Sequence, residues 1–62
     1  ITEFEINARI GHFLHRALQQ VRASQNVYNK LPGDEGVYEL AGINGVIGFL
    51  EREVKEAERI LP

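Results

Sequence analysis

The chain has 62 residues, 44% of them hydrophobic and 26% charged, with no Cys, no Met, no Trp and a formal net charge of −2. That length supports one small domain, and the missing cysteines exclude disulfide staples and thiolate zinc sites. A chain this short buries only about 60% of its unfolded surface, and single cores below roughly 70–80 residues seldom supply more than about 3–5 kcal/mol, so the expected staple is a second copy of the chain.

The longest run without a charge, Leu40 to Leu50, is interrupted by Gly42, Gly45 and Gly48. It is about half of the roughly 20 apolar residues that a membrane span requires, so no membrane span is expected. No Arg/Lys-flanked apolar leader opens the chain, although it starts at Ile1 rather than Met, and a reducing, cytoplasmic location is expected. Charge is unevenly divided. Residues 1–30 carry Arg9, Arg16, Arg22 and Lys30 against Glu3 and Glu5, a balance of +2, whereas residues 31–62 carry three bases against seven acids, a balance of −4.

Thr2 with Glu5 three residues on forms a Thr-x-x-Glu capping box that opens the first predicted helix. Ile10, Leu14, Ala17, Val21, Ser24, Tyr28 and Leu31 then step by four and three, the spacing of one helical stripe. Ile6 and Phe13 widen that stripe on one flank and Leu18 on the other, giving a helix over about 3–29 with Gly11 as its one internal weakness. Residues 30–35 are predicted to turn. In Leu31-Pro32-Gly33-Asp34-Glu35-Gly36, proline disfavours helix in the residue before it, glycine supplies left-handed torsions, and Asp34 can cap the next helix.

From about 35 to 61 the seam Leu40, Ile43, Ile47, Leu50, Val54, Ala57 and Leu61 predicts a second helix, with Glu51/Lys55 and Arg52/Glu56 as i, i+4 pairs on its exposed face. A competing reading makes 37–50 a β-hairpin around Asn44-Gly45, and so an α+β fold. Three glycines favour the hairpin, each costing about 1 kcal/mol within a helix. The unbroken phase from Leu40 into the later seam favours helix, as does the marginal stability of an isolated two-stranded ribbon.

The expected fold is therefore all-α, a single domain over 1–62 built as an antiparallel helical hairpin. The second helix is apolar on more than its seam, with Gly42, Val46, Phe49 and Ile60 on an adjacent flank and Tyr38 at its margin. These residues are the expected oligomer interface, and a homodimer forming a four-helix bundle is the expected assembly. Ala41, Gly45 and Gly48 are small enough to let a neighbouring backbone come close.

Chemistry-bearing patterns are few. His12 and His15 are spaced i, i+3 rather than the i, i+4 of a zinc helix and no Glu follows His12, so no metal and no cofactor are expected. The carboxylates Glu51, Glu53, Glu56 and Glu58 lack the Glu-x-x-His pattern of di-metal bundles and read as a solvated face, with Glu53 placed to meet a cation across an interface. The lone Ser24 lies within the stripe, Thr2 is a cap, and no nucleophile elbow, phosphate-binding loop or dinucleotide fingerprint occurs, so catalysis is not expected.

Arg9, His12 and Arg16 share one helix face and are the candidate anion-binding residues. They are few for duplex nucleic acid, whose affinity scales with the number of phosphates neutralised. The expected function is a non-enzymatic, homo-oligomeric interaction module that binds and regulates or inhibits another protein, an architecture common among small regulators and phage or plasmid accessory proteins. The alternatives are a small binder of RNA or a nucleotide through Arg9, His12 and Arg16, or a subunit completed by a different chain.

Overall fold

The computed structural model describes residues 1–60, with the backbone alone at Ile60. The expected seam position Leu61 and the expected interface side chain of Ile60 lie outside the described residues. Two helices, α1 (Glu3–Asn29) and α2 (Val37–Ile60), run antiparallel and pack along their length. No strand occurs among the described residues, and 37–50 lies wholly within α2. The β-hairpin alternative fails because helical phase buries Ile47 and Leu50 together with Val54, which alternation around Asn44-Gly45 would separate.

Thr2 caps α1 as its sequence implies. It is extended at φ −89° and ψ 160°, and its hydroxyl accepts the Glu5 N–H at 3.1 Å. Glu3 and Glu5 place negative charge in the first turn, where the helix dipole favours it. At the other end α1 tightens as it stops, with the Lys30 N–H donating to the Val27 carbonyl and the Leu31 N–H to the Tyr28 carbonyl.

The turn depends on Gly36. Its φ is +74°, and a Cβ there would stand 2.7 Å from Tyr28 Cδ1 and 2.8 Å from Leu31 Cδ1. Only glycine fits that position, in torsion and in space. The Gly36 carbonyl accepts the Leu40 N–H at 2.8 Å, so α2 starts from Gly36 rather than from a cap at Asp34, and two residues later than its seam predicts. Asp34 contributes its backbone carbonyl, which accepts from the Val37 N–H.

Among the described residues the core is a short line of four buried side chains, Leu18, Ile47, Leu50 and Val54, with Leu14, Ala17, Val21 and Ile43 packed against it. On α2 the core-facing positions are those of the predicted seam. On α1 Leu14, Val21 and Tyr28 keep their predicted inward positions with Ala17 packed beside them, and the other line moves by one residue, from Ile10, Ala17 and Ser24 to Gly11, Leu18 and Gln25. Leu18 is the most buried side chain at 5% exposure, while Ile10, placed on the expected stripe, is 50% exposed, and Ser24 and Leu31 are exposed as well. The seam instead reads Asn7, Gly11, Leu14, Leu18, Val21, Gln25 and Tyr28, all buried or half-buried.

The shift has a physical cause. The apolar arc of α1 is wide enough to offer two phases, and only this one turns His15, Arg22 and Gln25 toward polar partners on α2. The outcome is a rod measuring 49 × 14 × 13 Å at the Cα atoms, with a radius of gyration of 14.6 Å. A globular chain of this length would have about 11 Å, so much of the apolar content stays at the surface.

Candidate functional site

Stepping by seven along each helix separates two long flanks of the rod. On α1, His15 and Arg22 fall on one line, and on α2, Glu51 and Glu58 fall on another. The antiparallel arrangement brings the two lines together. His15 Nε2 lies 2.9 Å from Glu58 Oε1, Arg22 Nη2 lies 3.6 Å from Glu51 Oε2, and the Gln25 amide donates to Asn44 Oδ1 at 2.8 Å. All four side chains are about half exposed, so each contact contributes at most about 1 kcal/mol, but together they match the phase and register of the hairpin. The expected Glu51/Lys55 and Arg52/Glu56 pairs do not form: Glu51 reaches across to α1, and Glu56 pairs with Arg59 on its own helix.

The opposite flank is apolar. On α1 it carries Ile6, Ile10, Phe13 and Val27, all exposed, with Ala17, Gln20 and Ser24 between them. Ser24 turns its hydroxyl back onto the Gln20 carbonyl at 3.3 Å, which takes it out of competition for outside partners. On α2 the same flank carries Gly42, Val46, Phe49 and Glu53, all exposed, with Tyr38 at its margin the most open at 90%.

Within the described residues nothing covers this surface. A Cβ on Gly42 or Gly45 would meet no atom within 4 Å, so the close backbone approach that the small residues permit is not made inside the hairpin. Gly48 differs, because Arg52 folds back toward it, with Nη1 3.7 Å from where a Cβ would stand. The expected interface residues Tyr38, Gly42, Val46 and Phe49 thus lie together on one exposed side. Sequence reasoning missed that Ile6, Ile10 and Phe13 belong to that side rather than to the core margin. The matched seven-residue spacings of His15/Arg22 and Glu51/Glu58 were the signal that could have fixed the phase of α1.

Arg9, His12 and Arg16 are exposed along the outer side of α1, turned away from α2. They make no ion pair or side-chain hydrogen bond among the described residues, unlike neighbouring His15 and Arg22. His12 and His15 stand on different lines of the helix. Among the described residues no group of three or more His, Asp or Glu side chains converges, no pocket is enclosed, and no helix is long and apolar enough to cross a membrane.

No family model, no curated protein and no solved structure matches the chain.

Proposed function

We propose that the protein is a small non-enzymatic interaction module that acts as a homo-oligomer, a dimer closing into a four-helix bundle, and that its outward surface binds and regulates or inhibits another protein in the cytoplasm. The observation that carries this reading is the exposed apolar flank. Ile6, Ile10, Phe13, Val46 and Phe49 are left exposed by a hairpin that, among the described residues, buries four hydrophobic side chains, and an apolar surface of that extent on a small domain marks an association site. Covering it supplies the burial that one hairpin lacks.

The test is a dilution series through the micromolar range, followed by sedimentation and by thermal melting. The reading expects a dimer whose melting temperature falls on dilution. A monomer with a concentration-independent melting temperature contradicts it.

A second reading rests on Arg9, His12 and Arg16, which are exposed on one side of α1 and engaged by no partner among the described residues. In that reading the face grips an RNA or nucleotide phosphate. Binding would weaken steeply with salt and vanish in an Arg9→Ala/Arg16→Ala variant that keeps its helicity; unchanged binding would dismiss the site.

A further inference from the structure

We propose that the apolar flank is covered by a second copy of this chain seated so that α1 of each copy lies on α2 of the other, with the two-fold axis parallel to the helices and Arg16 reaching Glu53 of the partner copy. The inference rests on the self-association proposed above and specifies its geometry. Charge decides the pairing. Between Ile6 and Val27 the apolar side of α1 is bordered by Arg9 and Arg16 and by no acid, whereas the same side of α2 carries Glu53 and Glu56. Laying α1 on α1 and α2 on α2 would gather the arginines along one contact and the carboxylates along the other. Laying α1 on α2 pairs them.

Glu56 is already engaged by Arg59, and Arg52 is folded toward Gly48, on the side away from the apolar flank. Glu39 shares the line of Val46 and Glu53 but sits beside the turn, far along the rod from Arg16, so Glu53 is the exposed carboxylate of the flank at that height, with no ion pair among the described residues. A two-fold axis parallel to the helices keeps every residue at its own height along the rod. The bonds His15–Glu58, Arg22–Glu51 and Gln25–Asn44 define those heights, and they put Arg16 within about one helical turn of the partner's Glu53.

Side-chain sizes agree with the same placement. At matching heights Glu53 meets small Ala17, Phe49 meets Ser24, and exposed Val27 meets Gly42, where a neighbour has open space. The extent is also sufficient, since a face 49 Å long and 14 Å wide at the Cα atoms is of the order of the ~800 Å² per partner that stable complexes bury.

The test uses two charge reversals, Arg16→Glu and Glu53→Arg, measured by sedimentation alone and as an equimolar mixture. Both positions are exposed, so helicity by circular dichroism should match wild type. Each variant alone should dimerise about tenfold more weakly or worse, because two like-charge contacts replace two pairs. The mixture should restore wild-type affinity, since a heterodimer sets reversed position against reversed position at one contact and leaves the native pair at the other. Single variants that dimerise like wild type, or a mixture no tighter than its components, overturn this geometry while leaving self-association standing. A wild-type chain that stays monomeric at tens of micromolar overturns both.

Discussion

The two flanks of the rod are built from the same two helices and differ in what they ask of their surroundings. On one, His15, Arg22 and Gln25 meet Glu58, Glu51 and Asn44, so polar groups find partners within the chain. On the other, Ile6, Ile10, Phe13, Val46 and Phe49 are exposed. The polar flank contributes little stability yet fixes which residues of α1 point inward. The apolar flank leaves about half of its side-chain surface in water, and what it can still contribute scales with the area that a cover would remove.

Core and flank differ most sharply in the phase of α1. Leu18→Ala is expected to cost about 2–5 kcal/mol at every protein concentration, because it opens a cavity in a four-residue core. Ile10→Ala should instead cost stability that fades on dilution, since Ile10 is outside the hairpin core and inside the proposed interface. Chemical denaturation at two concentrations separates the two behaviours, and a concentration-independent loss at Ile10 would return it to the core.

Charging the apolar flank is the next largest effect. Phe49→Glu should raise the dimer dissociation constant at least about 30-fold, the effect of losing a central anchor, and Tyr38→Glu at the margin should do much less. Sedimentation equilibrium measures both, and equal effects would remove the distinction between centre and edge.

The turn holds both flanks in register, and its two left-handed glycines are predicted to differ. Gly36→Ala should cost about 2 kcal/mol, since the strain of a positive φ adds to overlap with Tyr28 and Leu31, while Gly33→Ala, with nothing within 4 Å, should cost about 1 kcal/mol. Thermal melting resolves a difference of that size in a domain this small.

The smallest effect belongs to the polar flank. A double-mutant cycle on Arg22 and Glu51 should give a coupling of about 0.2–1 kcal/mol that disappears in molar salt, as befits two half-exposed side chains 3.6 Å apart. A larger, salt-resistant coupling would mean that this flank is covered too.

Much of this architecture was legible in the residues. The Thr2 cap, the midpoint turn and the seam from Leu40 through Ala57 all follow from spacing, because Leu40, Ile43, Ile47, Leu50 and Val54 keep one helical phase while the apolar flank beside them is thinned by Gly42 and Glu53. On α1 apolar spacing picks out the line of Leu14, Val21 and Tyr28 but not its companion, because the arc is wide and Ile10 and Ala17 lie one residue from Gly11 and Leu18 around the helix. Only the pairing of polar groups across the hairpin separates them, and that is a property of two helices rather than one. The capacity of Asp34 to cap α2 was a sound local reading that Gly36 overrode, because contact with Tyr28 and Leu31 fixes where the chain re-enters the helix.

The central claim is that one flank is covered and the other is not, and a soluble paramagnetic agent reads this directly from methyl resonances. Val37 lies on the line of Asn44, Glu51 and Glu58 and is 50% exposed, against 50% for Ile10 and 46% for Val46 on the apolar flank, so in an isolated hairpin the three would relax alike. The account predicts that at tens of micromolar Ile10 and Val46 are shielded while Val37 is strongly relaxed. Equal relaxation of all three would contradict it.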